Sequence, residues 1–260
     1  MSTILKISIR YIFVLLVLYS GLFATTIESP RHAIDIAGKQ RMFSQRMLKD
    51  YSMIGMNNSF SNPSEDLKKT IDTFEEHLHS LDNYTKNKTI KNEISKVQKI
   101  WSPIREILES KPKKESVVKL QESLEELLHL SDDVTKLFAG EVAEHLGEIV
   151  DISGRQRMLS QRMASLYMLK VWGVNDEKFK ERLDSAMKLF KRSQERLEKS
   201  ELNSDRSLKL LSEVKKSFMF FEVMNRSSTK FIPTLIYRKS DDILENMDAV
   251  TKLFVVADKN

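Results

Sequence analysis

The sequence predicts an all-α protein made of two tandem four-helix bundle units. Glycine and proline are scarce, with 7 and 5 among 260 residues, while 30% of the residues are charged, and this composition favours helices. No segment shows the sustained alternation of apolar and polar residues that indicates a half-buried strand. The third observation is an internal repeat, which divides the chain into two similar halves.

The repeat is carried by a segment that is nearly identical in the two halves. Residues 36–48, IAGKQRMFSQRML, recur as residues 152–164, ISGRQRMLSQRMA, at an offset of 116 residues. The same offset places Phe74 on Phe190 and Val134–Phe138 on Val250–Phe254. The sequence therefore predicts two copies of one unit, over residues 34–138 and 150–254.

Each unit is expected to contain four helices joined by short polar loops, as in an up-down-up-down bundle. In the first unit we predict helices over residues 34–56, 63–83, 89–110 and 115–138. Pro63 falls in a first turn, where proline is tolerated, whereas Pro103 falls inside the third helix and predicts a kink or a restart. In the second unit the predicted ranges are 150–173, 176–199, 205–230 and 234–256.

The connection between the two units has no proline. Residues 115–172 contain only Gly140, Gly147 and Gly154 as weak points of the helical pattern. Each glycine costs about 1 kcal/mol relative to alanine, which is too little to end a helix by itself. The sequence therefore leaves open a continuous long helix that joins the last helix of the first unit to the first helix of the second.

The first 24 residues have the pattern of an export signal. Lys6 and Arg10 precede an apolar stretch over residues 11–23, and Ala24 offers a cleavage point. The apolar stretch is shorter than the roughly 20 residues that a membrane-spanning helix requires. We therefore expect a signal peptide and a periplasmic protein. The alternative is an uncleaved N-terminal helix that anchors the chain in the inner membrane.

The composition argues against several classes of protein. The chain has no cysteine, which excludes disulfides, thiolate metal sites and a cysteine nucleophile. The formal charge of +5 is spread along the chain without a dense basic block, so nucleic-acid binding gains no support. Histidines are few and scattered, and no catalytic or phosphate-binding motif is visible. We therefore expect a protein that is not an enzyme and that has neither a cofactor nor a metal.

The repeated segment itself has an unusual helix face. At about 100° per residue, Gly38, Arg41 and Gln45 share one side of the first helix, opposite an ordinary apolar stripe. Gly154, Arg157 and Gln161 are their counterparts in the second unit. Glycine permits close helix approach, and arginine supplies a rigid fork of donors that matches planar oxyanions. Arg46 and Arg162 lie more than 100° around the helix from this face and are further candidate ligand-binding residues.

These residues also carry a family resemblance. The segments around Arg41 and Arg157 resemble the signature of the PilJ-type domain, the N-terminal sensor region of type IV pilus methyl-accepting chemotaxis transducers. They are similar as well to the P-box of nitrate/nitrite sensor histidine kinases, whose sensor is a periplasmic four-helix bundle that dimerises. The resemblance implies that an anion binds between paired motif helices through Arg41 and Arg157. It also implies that the backbone approaches this ligand at Gly38 and Gly154.

Two functional hypotheses follow for the whole chain. In the first, one chain reproduces a sensor dimer, and Arg41 faces Arg157 across one pseudo-twofold site for a small nitrate- or nitrite-like oxyanion. Anion binding would relieve the repulsion between the two guanidinium groups and so couple occupancy to helix position. We expect a sensor without its own transmitter, which signals to a membrane sensor kinase or chemotaxis transducer. In the second hypothesis the protein is structural, and the motif only packs helices.

Overall fold

The computed structural model describes residues 25–142, 144–174, 176–226 and 231–256. These residues form helices and connecting turns, without a strand among them, which confirms the predicted fold class. The helices are α1 (Pro30–Gly55), α2 (Pro63–Tyr84), α3 (Lys88–Glu109), α4 (Lys114–Ala139), α5 (Glu144–Val171), α6 (Glu177–Glu198), α7 (Asp205–Arg226) and α8 (Pro233–Val256). The predicted export signal, residues 1–24, lies outside the described residues.

Local sequence signals explain where several helices begin. The side chain of Ser29 accepts a hydrogen bond from the backbone N–H of His32 at 3.2 Å and caps α1, which then begins with a proline. Asp176 caps α6 in the same way through the N–H of Lys178. The kink or restart predicted at Pro103 is not a break, because α3 continues through this residue. Pro103 is exposed, so its ring faces solvent rather than a neighbouring helix.

The eight helices form two four-helix units that share one central contact. In the first unit α1 packs against α2 and α4, and α3 packs against α4. In the second unit α5 packs against α6 and α8, and α7 packs against α8. The most extensive contact between any two helices joins α1 to α5, the helices that carry the repeated motif. The motif therefore lies at the junction of the two units rather than at an end of either.

Helices α1 and α5 run parallel. Gly38 and Gly154 both lie beside the same two guanidinium groups, and Gly55 at the end of α1 lies against Trp172 just after the end of α5. This arrangement explains why both faces of α1 are buried. The apolar face packs within its own unit, where Gln40 donates to the carbonyl of Phe74 at 3.0 Å, and the glycine-arginine face packs on α5.

The chain reverses between the two units. Helix α4 ends at Ala139, and the N–H groups of Gly140 and Glu141 bond back to the carbonyls of Lys136 and Phe138 in a tight turn. Glu125 of α4 then lies beside Arg162 of α5, which follows from an antiparallel course of the two helices. The single continuous helix that the sequence left open is therefore not formed. Without this reversal α5 would extend away from the first unit and could not pack along α1.

The two units fill equivalent core positions with different aromatic pairs. Phe74 packs on Trp101 with ring centroids 4.3 Å apart, whereas its counterpart Phe190 stacks on Phe218 at 4.6 Å. The phenylalanine on the second helix of each unit is thus retained. Its aromatic partner on the third helix lies one position later in the second unit, because Trp101 corresponds to residue 217 and the partner is Phe218. None of the described helices combines the length and the hydropathy needed to cross a membrane.

Gly55→Ala is expected to destabilise the protein by about 1–3 kcal/mol, because a new methyl group at this position would overlap a packed aromatic ring. A Cβ atom on Gly55 would lie 2.8 Å from Cε2 of Trp172 and closer still to two other ring atoms. The indole is only 8% exposed and also contacts Tyr51, so it has little room to move. The free energy of unfolding in urea, followed by circular dichroism, measures the effect.

Gly140→Ala is the matched control for this substitution. Gly140 has φ −68° and ψ −12°, a conformation that alanine adopts readily, and a Cβ atom there would lie 3.5 Å from the nearest carbonyl oxygen. We expect stability to be unchanged or to rise by about 0.4–1 kcal/mol. Equal stability of the two variants would contradict the close contact between Gly55 and Trp172.

Candidate ligand site between the motif helices

The side chains of Arg41 and Arg157 meet between α1 and α5. Both are fully buried. A Cβ atom built on Gly38 would lie 3.3 Å from Nη2 of Arg41 and 3.7 Å from Nη2 of Arg157, and on Gly154 the corresponding distances are 3.4 and 3.3 Å. The two glycines therefore leave the space that the guanidinium groups occupy. The arrangement has pseudo-twofold symmetry.

Each guanidinium group is held by two aspartates, one from each unit. Arg41 Nη1 donates to Asp132 of its own unit at 2.6 Å and to Asp151 of the other unit at 2.7 Å. Arg157 Nη1 donates to Asp248 of its own unit at 2.8 Å. Its Nη2 lies 2.7 Å from Oδ1 of Asp35 in the other unit, an ion pair without hydrogen-bond geometry. Each arginine therefore ties the two units together.

A second layer of cations surrounds these aspartates. Each aspartate has one further cationic partner on its own helix, within 2.9 Å: Lys39 with Asp35, Lys136 with Asp132, Arg155 with Asp151 and Lys252 with Asp248. We call these eight residues, together with Arg41 and Arg157, the central ion cluster. It contains six cations and four carboxylates, a formal excess of two positive charges. The exposed Asp133, 3.7 Å from Lys136, lies outside it.

The protonation states in the cluster follow from these pairs. Burial alone would raise the pKa of Asp35, but Arg157 and Lys39 outweigh it and hold that pKa well below the usual range. The pKa of Asp132 and that of Asp248 are lowered against the effect of burial in the same way, by Arg41 and Arg157. Burial disfavours the charged form of Arg157, yet its aspartates raise its pKa. These shifts favour the ionised forms of Asp35, Asp132, Asp248 and Arg157 at neutral pH.

Not every donor of the two arginines is used. The Nε atoms of Arg41 and Arg157 are buried without a hydrogen-bond partner among the described residues. Each Nη2 reaches a main-chain oxygen, of Asp151 or Asp35, at a distance of only 3.5 Å. Nε and Nη2 form the side edge of a guanidinium group, which binds a planar oxyanion through two parallel hydrogen bonds. This edge remains weakly satisfied on Arg41, whereas Nη2 of Arg157 also lies 2.7 Å from Oδ1 of Asp35.

Gln45 and Gln161 lie one helical turn beyond the arginines and are also buried. Their amide nitrogens donate to Ser44 and Ser160, each at 3.3 Å, and that of Gln161 also donates to the carbonyl of Ser240 at 3.0 Å. Their Oε1 atoms have no hydrogen-bond partner in the described part of the chain. A carboxamide presents either a donor or an acceptor after rotation, so both side chains can adapt to a polar ligand.

Arg46 and Arg162 do not join the central pair. Arg46 forms two hydrogen bonds with Asp66 of α2, at 2.7 and 2.8 Å, and Arg162 donates to Glu125 of α4 at 2.7 Å. Both face grooves beside the motif helices rather than the contact between them. The structure therefore separates the eight candidate residues into six at the junction of the units and two outside it.

The four aspartates of the cluster were missed by the sequence reasoning. Single aspartates on charged helices look like solvated residues, so nothing in their local sequence marks them. The repeat does mark them, because Asp35 and Asp132 recur at the same offset as Asp151 and Asp248. Their presence also corrects the expected repulsion between Arg41 and Arg157, since carboxylates already compensate both guanidinium groups.

One buried network breaks the symmetry between the two units. Lys49, which corresponds to Ser165 in the second unit, is fully buried and binds Asp241 at 2.6 Å, with its ammonium group 3.7 Å from the ring centroid of Tyr237. Tyr237 in turn donates to Asp50 at 2.7 Å. Burial raises the pKa of Asp50. This network ties α1 to α8 and has no counterpart between α5 and α4.

Comparison with known protein families decides the identity of the fold unit. The family model described as "Type IV pili methyl-accepting chemotaxis transducer N-term", PilJ, matches residues 24–128 and 139–219. The chain belongs to this family. Both motif segments lie within the matched residues, so the predicted PilJ resemblance is confirmed. No curated protein and no solved structure matches the chain significantly. PilJ domains are sensory domains of chemotaxis signalling, and their family is not one of enzymes.

Proposed function

We propose that this PilJ protein is a sensory ligand-binding module whose site lies at the central ion cluster. The ligand class that fits is a small planar oxyanion of the nitrate or nitrite type. One observation carries the proposal: two buried guanidinium groups meet between Gly38 and Gly154, and the Nε of each has no hydrogen-bond partner among the described residues. A buried donor without a partner is costly, and an oxyanion would satisfy donors of both arginines at once.

The arrangement also supplies a way to transmit binding. Each arginine connects the two units through one aspartate of its own unit and one of the other. An anion bound to both guanidinium groups would compete with these carboxylates, while the excess of cations in the cluster offsets its charge. Helices α1, α4, α5 and α8 carry the cluster, so occupancy would change the relative stability of their packing arrangements.

The location and the partner of the module follow from its family and its N-terminal sequence. We propose that residues 1–24 export the chain to the periplasm, either as a cleaved signal peptide or as an inner-membrane anchor. In that compartment the module would report anion occupancy to a membrane sensor kinase or chemotaxis transducer. Co-purification of such a partner with the chain, in amounts that depend on the anion, tests this step.

Substitution of the two arginines tests the ligand site. Arg41→Gln and Arg157→Gln are each expected to weaken nitrate or nitrite binding by about 1.5–3 kcal/mol, the strength of a hydrogen bond to a charged group. The double variant should lose little more than either single variant, because both residues act on one ligand. Calorimetric titration of the purified chain measures the affinity. Arg196→Gln, at an exposed arginine paired with Glu148, is the matched control.

Arg41→Lys and Arg157→Lys test the same site in variants that are expected to fold. Lysine keeps the positive charge that pairs with the aspartates but lacks the planar fork of donors. If both lysine variants fold and bind the anion as the unchanged protein does, the shared site is wrong. Two independent affinities, each removed by one substitution, would contradict the pseudo-twofold pocket alone.

A second function has one observation in its favour. Each guanidinium group already has two carboxylate partners, and the two glycines leave room for the guanidinium groups between the helices, which suits a motif that only packs helices. In this structural alternative the module is a scaffold without a ligand. Titration decides between the two functions: unchanged heats with every small oxyanion, together with large losses of stability in the arginine variants, would favour the scaffold.

A further inference from the structure

Two grooves flank the paired motif helices, one on each side. Groove one has a volume of about 660 Å³ and lies between α1, α2 and α8, and groove two has a volume of about 390 Å³ and lies between α5, α6 and α4. The repeat offset relates most of their lining residues, for example Lys39 to Arg155, Arg46 to Arg162 and Met42 to Met158. The two grooves therefore occupy equivalent positions in the two units, and the residues that differ between them indicate how their binding properties differ.

Groove two is lined by three arginines over an apolar floor. Arg155 and Arg162 come from α5 and Arg182 comes from α6. The floor consists of buried or half-exposed apolar side chains: Leu128, Met158, Leu159, Ala186 and Leu189. A few charged groups above an apolar surface are typical of sites for small organic ligands, and the volume lies in the usual range of about 300–1,000 Å³.

The decisive difference between the grooves is a reversal of charge. In groove one the guanidinium group of Arg46 is clamped by both oxygens of Asp66. The residue of the second unit that corresponds to Asp66 is Arg182. Arg162, which corresponds to Arg46, therefore has no bidentate carboxylate partner at this position. Instead it lines the same groove as a second cation, Arg182. In groove one the charge of Arg46 is compensated by Asp66, whereas groove two is lined by three guanidinium groups.

The arginines of groove two keep donors for a ligand. In the described part of the chain Arg182 forms no ion pair, and its Nη1 donates to the neutral Oε1 of Gln121 at 2.5 Å. Arg162 donates through Nη2 alone, to Glu125. Arg155 is 29% exposed and uses Nη2 for Asp151. Two carboxylates line the groove: Asp132 is committed to Arg41 and Lys136, and Glu181 is exposed and forms no ion pair among the described residues.

We propose that groove two is a second binding site, for a small organic carboxylate with an apolar body. The carboxylate would bind Arg182 and Arg162, and the body would cover the floor around Met158 and Leu159. A small inorganic anion could use the guanidinium groups but would leave the apolar floor in water, so the organic acid is favoured. This site goes beyond the oxyanion site proposed between Arg41 and Arg157, and it shares Arg155 and Asp132 with the central ion cluster.

Benzoate is a suitable probe, because it combines one carboxylate with a compact ring. We expect saturable binding to the purified chain, observed by calorimetry and by chemical-shift changes in a ¹³C-methyl methionine spectrum at Met158. Arg182→Asp, which installs the residue of groove one, should weaken benzoate binding at least tenfold, and Arg182→Gln should weaken it less. Inorganic phosphate at the same concentration should bind more weakly than benzoate.

Lys69→Ser, which gives groove one the residue that groove two has at the corresponding position, Ser185, is the control and should leave benzoate binding unchanged. Arg182 is half-buried at the surface, so its variants are expected to fold, and their thermal midpoints check this. Absence of saturable benzoate binding up to about 10 mM, where even a millimolar affinity would be evident, would overturn the proposal. Equal binding in Arg182→Asp, or tighter binding of phosphate, would overturn it as well.

The two sites are told apart by crossing the variants. Arg157→Gln should impair nitrate or nitrite binding and leave benzoate binding within about twofold, since neither Arg157 nor its partners Asp35 and Asp248 line groove two. Arg182→Asp should do the reverse. Loss of the oxyanion site alone would leave the groove proposal standing, whereas benzoate binding that disappears in Arg157→Gln and persists in Arg182→Asp would place the carboxylate at the central cluster instead.

Discussion

Arg157→Ala is expected to lower the free energy of unfolding by about 3–5 kcal/mol, because it breaks a buried ion pair by removing one side only. The guanidinium group is 1% exposed and the carboxylate of Asp35 is 7% exposed. After the substitution Asp35 keeps only Lys39, at 2.9 Å, and Asp248 loses its buried partner. Urea unfolding at pH 7, followed by circular dichroism, measures the loss.

Two further variants separate this effect from a general loss of surface charge. Arg196→Ala removes an exposed arginine paired with Glu148 and is expected to cost less than about 1 kcal/mol. Arg157→Ala combined with Asp35→Asn should be more stable than Arg157→Ala alone, because the stranded carboxylate is gone. A loss below about 1 kcal/mol in the single variant would show that the ion cluster does not hold the two units together.

The pH dependence of this difference has a definite sign. Arg157 and Lys39 lower the pKa of folded Asp35, so the contribution of this carboxylate to stability is present above its unfolded pKa and is lost as the pH falls below it. In Arg157→Ala the main cause of that lowering is missing. The deficit of the variant should therefore be largest near neutral pH and should shrink in acid.

The fold could be predicted because its signals repeat along the chain. Apolar residues at helical spacing, capped or proline-marked starts and one offset of 116 residues predict eight helices in two units. The connection after α4 could not be predicted in the same way. A glycine at residue 140 permits a turn but does not require one, and the turn is decided by the gain from packing α5 along α1.

The site could be predicted only in part. Arg41 and Arg157 were expected to meet over Gly38 and Gly154, and the structure brings these residues together. What the motif alone does not reveal is the charge that surrounds it. Asp35 and Asp151 directly precede the two motif segments, whereas Asp132 and Asp248 come within reach only because α4 and α8 pack against the motif helices.

Differences between the copies were equally hard to interpret from the sequence. Asp66 against Arg182 and Lys49 against Ser165 are ordinary exchanges for a helix surface when each is considered alone. Their meaning depends on which residues they face. Asp66 faces Arg46, whereas Arg182 lines a groove with Arg162, so the same position supplies a carboxylate partner in one unit and a further cation in the other.

His77 is expected to make the protein acid-sensitive. Its side chain is 7% exposed, its ring packs on Phe43 and its Nδ1 is buried without a hydrogen-bond partner among the described residues. Burial, helped by the charge of Lys39, lowers its pKa to about 4, although Glu76 and Asp35 oppose the shift. Folding therefore requires the neutral imidazole.

Because the folded state binds this proton less readily than the unfolded chain, the contribution of His77 to stability is complete above pH 6.5 and is lost between pH 6.5 and about 4. At 1.36 kcal/mol per pKa unit the loss amounts to about 3 kcal/mol. His77→Gln, measured by urea unfolding from pH 7 to pH 4, should remove this part of the acid dependence.

Other groups also titrate in this interval, so the decisive quantity is the difference in unfolding free energy between the unchanged protein and the variant at each pH. His79→Gln, an exposed histidine on the same helix that contacts Asn83, is the matched control and should leave the acid profile unchanged. Parallel profiles for His77→Gln and the unchanged protein would mean that the imidazole accepts its proton in the folded state. In that case His77 would have to gain solvent or an acidic partner as the pH falls, and the contact between α1 and α2 at Phe43 would have to open.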